Sequence, residues 1–312
     1  MIGRWMMMGV LMLAAVVVPG WAGTAVYMDD LAMGQGVQVK MEEALKAKTL
    51  TPVADLVKQL KAAKAAPVKV PSRLRRAPVQ SAADIYEHCR QGVVMVFLLA
   101  ECSHCKKLHA NASSGFVITE SGLMVSNYHV LNQDVARCKA IAVADSQGRV
   151  YNIKSVVAAN EKDDIAVLQL EGEGFEPLML TPDAPPPGST VHVISHPQGN
   201  YYYFTSGNVA RYFAERKGGN DQHPVRRIAI TADYGGGSSG APLLNERGEV
   251  VGMVSSTSTL TTENNAAHKE SVQMVFHTCV PTESITGLLS GRSAPPILIA
   301  TEVKAAKMGK DL

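Results

Sequence analysis

The chain has 312 residues, enough for one large domain or two small ones. Its 46% hydrophobic and 19% charged content excludes wholesale disorder. A formal charge of +2 gives no global pull toward nucleic acid, so no nucleic-acid partner is expected.

Residues 1–22 stand apart in composition. Arg4 precedes an uncharged apolar run from Trp5 to Val18, followed by Pro19, Gly20 and small residues. A positive start, a small-residue end and an apolar core shorter than the ~20 residues of a spanning helix read as a secretory signal. The competing reading is an uncleaved anchor. The expectation is an exported chain, periplasmic or secreted, with no stable membrane span after cleavage. An exported chain can hold disulfides, and five cysteines follow: Cys89, Cys102, Cys105, Cys138 and Cys279. The odd number leaves at least one without a partner in this chain.

Residues 23–80 read as a helical extension and a basic, proline-rich linker. Helix is expected over about 37–66, where Val53, Leu56, Val57 and Leu60 share one face and Thr51-Pro52 supplies a start. Pro67, Pro71 and Pro78 then interrupt Lys69, Arg73, Arg75 and Arg76. A solvated spacer is favoured there over an acidic-surface contact or a processing site. Ser81 to Asp84 resembles a capping box that opens a short helix through Tyr86 and Cys89.

From Val93 the period changes. Short apolar runs at 93–98, 116–119, 123–125, 141–143, 150–153, 165–170, 191–194, 228–231, 250–254 and 272–276 are separated by turn residues. Many short strands with almost no helix between them point to an all-β barrel or sandwich over 81–285. The stretch after Pro281 suits one short helix and a loose tail, with residues 286–312 as the C-terminal tail.

Three local patterns carry chemistry. In Gly235-Gly236-Gly237-Ser238-Ser239-Gly240-Ala241-Pro242-Leu243, a tight glycine turn presents the Ser239 hydroxyl. It also lets the Gly237 and Ser239 amides converge on a developing oxyanion. Taken alone, this stretch could equally be a glycine-rich turn. In Val125-Ser126-Asn127-Tyr128-His129-Val130-Leu131, a histidine sits at a strand end between apolar neighbours. In Asp163-Asp164-Ile165-Ala166-Val167-Leu168, a carboxylate opens a buried strand and can fix a histidine tautomer. The order His129, Asp164, Ser239 differs from that of subtilisin and the α/β-hydrolases.

With these segments the chain resembles the trypsin-like serine proteases, and most closely their HtrA/Deg branch. Ser114-Gly115-Phe116-Val117-Ile118 and Thr205-Ser206-Gly207-Asn208-Val209 add two more motifs of that branch in the right order. The resemblance implies an all-β, chymotrypsin-like fold of two six-stranded antiparallel barrels with a short helical N-terminal extension. It implies a serine endopeptidase working through an acyl-enzyme, with His129, Asp164 and Ser239 as the catalytic residues and Gly237 and Ser239 as the oxyanion hole. It selects Asp164 over Asp163, requires no cofactor and no metal, and makes proteins or peptides the substrates.

Ser238 stands where the branch usually has Asn, and Ala241 where it has a second Gly, which could crowd the turn. The stretch after Pro281 is too short for the PDZ domain common in that branch. Asp233, Ser255 and His277 are the candidate substrate-binding residues. Asp233 could select a basic P1 residue and His277 an acidic one, or the two could neutralise each other. Relatives often assemble through N-terminal segments, so residues 37–66 are a candidate homo-oligomer element or, equally, a pro-segment. The alternative function is a catalytically silent, protease-like scaffold. Cys102-Ser103-His104-Cys105, followed by His109, is read as a disulfide in preference to a redox pair or a zinc site completed by Cys89.

Overall fold

In a computed structural model, residues 25, 27–71, 77–216, 223–264, 269–291 and 297 are described. The signal-like segment 1–22 and the three linker arginines lie outside them. Among the described residues, no helix is long and apolar enough to cross a membrane.

The helix expected over 37–66 is two helices. α1 (Asp30–Ala47) starts at Asp29, whose carboxylate accepts the Ala32 amide at 2.9 Å, and ends at Lys48, whose φ is 56°. Thr51 gives no cap, because Pro52 itself is the N-cap residue and has no side-chain acceptor; the Thr51 amide donates to Asn152 Oδ1 at 2.8 Å. α2 (Val53–Ala62) then begins directly behind Pro52. Its predicted face is buried: Val53, Leu56, Val57 and Leu60 pack with Val94, Ile141, Ile153 and Leu168. The start of the linker is no solvated spacer. The Ala66 and Val68 amides donate to the Leu288 and Leu289 carbonyls at 3.1 and 2.8 Å.

α3 (Ala82–Cys89) forms as expected, with the Ser81 hydroxyl accepting the Asp84 amide at 3.2 Å and buried Ile85 and Cys89 facing the core. β1 (Val93–Glu101), β2 (Leu108–Val117) and β3 (Leu123–Ser126) follow as a meander. After the one-turn helix α4 (Tyr128–Leu131) come β4 (Cys138–Ala144), β5 (Val150–Tyr151), β6 (Ile153–Asn160) and β7 (Ile165–Leu170). These strands form one seven-stranded sheet in the order β5-β4-β1-β2-β3-β7-β6. It is a half-barrel of seven strands, not the closed six expected.

The second half matches the expected count. β8 (Thr190–Ser195), β9 (Tyr203–Glu215), β10 (Val225–Ile230), β11 (Pro242–Asn245), β12 (Val250–Asn264) and β13 (Lys269–Pro281) close into a six-stranded barrel. Val191, Val193, Ile228, Leu243, Val254 and Cys279 fill it. α5 (Thr282–Ser290) runs beyond residue 285 and buries Ile285, Leu288 and Leu289. The chain is therefore mostly β, a half-barrel beside a closed barrel, which fits the chymotrypsin-like two-barrel plan.

Candidate active site

Strand register brings His129 and Asp164 together. β3 pairs with β7 so that Ser126 faces Ala166, which places the residues just after β3 beside those just before β7. His129 lies on α4, at the end of β3 as expected, and Asp164 on the turn into β7. Asp164 has a φ of 65°, a left-handed conformation that costs a non-glycine residue roughly 1–2 kcal/mol. Asn127 supports the strained turn, its side-chain amide donating to the Asp164 carbonyl at 3.0 Å.

The Asp164 carboxylate accepts three kinds of donor. His129 Nδ1 lies 3.0 and 2.9 Å from its two oxygens, the His129 amide donates at 3.1 Å, and the Ser255 hydroxyl donates at 2.8 Å. Burial, the largest single influence, pushes its carboxyl upward. The His129 side chain, its amide and Ser255 together outweigh burial and hold Asp164 below the ordinary carboxylate value. Asp163 is different. It accepts from Asn160 at 2.8 Å, and burial raises it despite Arg227 and Arg226.

Ser239 sits on a turn shaped by left-handed glycines, Gly237 (φ 94°) and Gly240 (φ 88°). A Cβ on Gly240 would meet the Ser114 carbonyl at 2.1 Å and Ser126 Oγ at 2.4 Å, so only glycine fits there. The Gly236 carbonyl accepts the Gln198 amide at 2.8 Å. In a trans peptide this turns the Gly237 N–H the opposite way. Among the described residues, neither the Gly237 nor the Ser239 amide donates a hydrogen bond to another residue. Two backbone donors on one turn, without internal partners, can serve an oxyanion.

The half-barrel holds this turn as well. The Ser114 amide donates to the Ser239 carbonyl at 2.9 Å, and the Ser114 hydroxyl donates to the Gly237 carbonyl at 2.9 Å. Ser126 Oγ in turn donates to the Ser114 carbonyl at 2.8 Å. Arg227 on β10 adds a second tie between the sheets. It is ion-paired with Glu215 at 2.9 Å and reaches the carbonyls of Lys162 and Asp163 at 3.4 Å. Sequence reading quoted Ser114 in a motif without giving it this role and missed Arg227. A long-range contact leaves no local pattern to read.

The two departures in the serine turn are accommodated. Buried Ser238 donates its hydroxyl to Ser195 Oγ at 3.0 Å. The Ala241 methyl points into the barrel core with Leu243 and Val254 and does not crowd the turn.

Ser255 bridges the site. Its hydroxyl holds Asp164, and its carbonyl faces the Ser239 hydroxyl at 3.4 Å. Among the described residues, no hydrogen bond joins Ser239 Oγ to His129, whose side chain is 52% exposed. Asp233 and His277 are brought together, Oδ1 to Nε2, at 3.9 Å. His277 is buried on β13 beneath the edge of Tyr234, whereas Asp233 is exposed.

The favoured Cys102–Cys105 disulfide is not formed, and no disulfide joins any of the five cysteines. Cys89 cannot complete a zinc site with them, because its Sγ lies against the Gly248 carbonyl at 3.5 Å. Cys102, Cys105 and His109 do cluster.

With this geometry in hand, comparison with known proteins gives a consistent result. Residues 113–253 match the family model of the trypsin-like peptidase domain. The chain is 31% identical over 177 residues to serine protease HTRA1 of Xenopus laevis, covering 55% of this chain and 37% of the relative. It is 31% identical over 156 residues to Protease Do-like 5, chloroplastic, of Arabidopsis thaliana, covering 47% and 48%. It is also 31% identical over 144 residues to a probable periplasmic serine endoprotease DegP-like of Hahella chejuensis, covering 46% and 29%. The chain thus spans less than half the length of these relatives. The active-form crystal structure of the Rv3671c protease from M. tuberculosis superposes with a TM-score of 0.52 at 22% identity, over 75% of this chain and 97% of that one, which shows the shared fold. Residues 113–253 accordingly match a trypsin-like peptidase domain, and the chain is similar to serine proteases of the HtrA/DegP branch.

Proposed function

We propose that the chain is a serine endopeptidase that cuts proteins or peptides through an acyl-enzyme. The observation that carries this reading is the Asp164–His129 pair beside a serine turn with two unpartnered amides. Asp164 accepts from His129 Nδ1–H and so leaves Nε2 as the basic nitrogen. The Ser239 hydroxyl leaves the Ser255 carbonyl and donates to Nε2, a contact that commonly tightens only when substrate is bound. Ser239 Oγ then attacks the scissile carbonyl while His129 takes the proton. The Gly237 and Ser239 amides receive the oxyanion. His129 returns the proton to the leaving amine, and water repeats the sequence on the ester.

Substrate binding is assigned to Asp233, Ser255 and His277, with Asp233 Oδ1 and His277 Nε2 3.9 Å apart. Export is supported by the signal-like residues 1–22 and by the periplasmic designation of the DegP-like relative. The helical extension 23–80 and the protease unit 81–285 are proposed as one folded body, because α2 shares the half-barrel core.

Labelling with a fluorophosphonate probe tests the proposal. Wild type is expected to label, and Ser239→Ala and His129→Ala to abolish labelling. A folded wild-type chain that does not label overturns the protease reading in favour of a silent scaffold.

A further inference from the structure

The hairpin between β1 and β2 carries chemistry that the serine site does not use. Its tip is closed by two bonds, Cys102 N–H to the Lys107 carbonyl at 2.9 Å and Lys106 N–H to the Cys102 carbonyl at 3.1 Å. Lys106 is left-handed, with a φ of 58°. This turn folds Cys105 back toward Cys102. His109 follows on β2, opposite Ala100, and places Nε2 3.1 Å from Cys105 Sγ. The three donor atoms, two sulfurs and one imidazole nitrogen, all lie within 4.8 Å of one another.

We infer that Cys102, Cys105 and His109 form a binding site for a thiophilic divalent cation, Zn²⁺. A tetrahedral ion with Zn–S near 2.3 Å and Zn–N near 2.0 Å sets its donors about 3.5–3.8 Å apart. Small side-chain rotations bring the observed donors to that spacing. Two thiolates and a neutral imidazole balance the charge of the ion, and the two thiol protons leave to solvent. Water fills the fourth position.

The surroundings favour this use. Cys89, Cys138 and Cys279 are buried, so the accessible sulfurs of the chain are those of the hairpin tip.

Cobalt substitution tests the site on the full reduced protein. One equivalent of Co²⁺ is expected to produce thiolate-to-metal charge-transfer absorption that Zn²⁺ displaces. Cys102→Ser and Cys105→Ser each abolish it, and His109→Ala weakens binding at least about tenfold. All three side chains lie on an exposed or half-exposed hairpin tip, and Ser239 labelling is expected to persist in each variant as a check on folding. Absence of the charge-transfer band, or its persistence in Cys105→Ser, overturns the proposal. So does a Cys102–Cys105 disulfide found by alkylation and mass spectrometry in protein isolated from its own compartment without reductant.

Discussion

Asp164→Asn is the sharpest test of the proposed triad. The carboxylate offers acceptor oxygens to His129 Nδ1, to the His129 amide and to the Ser255 hydroxyl. Asparagine keeps one oxygen and replaces the other with a donor. If its oxygen takes the Oδ1 position, the NH₂ group replaces Oδ2, the acceptor of the Ser255 hydroxyl and the nearer oxygen to Nδ1, and competes with the remaining oxygen for Nδ1, which favours moving the imidazole proton to Nε2. If the oxygen takes the Oδ2 position, the NH₂ group meets the His129 amide, donor against donor. Both arrangements weaken the base that Ser239 requires. Loss of the correct tautomer is expected to lower kcat by about 10⁴-fold, roughly 5 kcal/mol of barrier. The assay is hydrolysis of a fluorescein-labelled casein, with thermal melting to confirm that the variant folds. Asp163→Asn, which does not touch His129, serves as the control. A folded Asp164→Asn protein within tenfold of wild-type activity refutes the role assigned to Asp164.

Three further predictions follow from the packing. His196 is fully buried, its Nδ1 accepts the Tyr202 amide at 3.1 Å, and burial drives its pKa down to about 3. The unfolded chain takes up a proton near pH 6.5 while the folded chain stays neutral, so stability falls with acidification through that window. The loss is about 2 kcal/mol at pH 5, read as a drop in melting temperature that His196→Gln reduces; an equal pH dependence in both proteins counts against it. Gly240→Ala forces a methyl against the Ser114 carbonyl, and a loss of about 3 kcal/mol or more is expected by chemical denaturation, with Ser239 labelling lost in parallel. Leu56→Ala empties a fully buried site in α2 and is expected to cost about 3 kcal/mol, whereas a cost near zero in urea unfolding denies that α2 is part of the fold.

Much of the site could be read from sequence because its parts are local. The serine turn is one contiguous glycine-rich stretch, and the family resemblance picks Asp164 over Asp163 as the residue just ahead of the Ile-Ala-Val-Leu strand. The α2 stripe was legible for the same reason, since one helix buries one face. Other elements left weaker traces. β9 alternates poorly, with only Val209 buried among its thirteen residues, so no period-two signal marks it. The outer half of the β12–β13 hairpin is polar and exposed around Ser256, Thr257 and Ser258, which reads as loop although it is paired strand. The break between α1 and α2 comes at Lys48, which turns left-handed without a glycine to mark it.

The bonds from Ser114 to Gly237 and Ser239 mean that neither half of the molecule alone holds the Ser239 turn. The turn belongs to the closed barrel by chain connectivity, yet two of its carbonyls are held by a strand of the half-barrel. Arg227 makes the reciprocal reach, from the barrel to the carbonyl just ahead of Asp164. A fragment bearing only one sheet would therefore present a serine or a histidine but no reactive centre. Two separately expressed halves should regain probe reactivity only on mixing, and damage to either core would silence chemistry carried by the other.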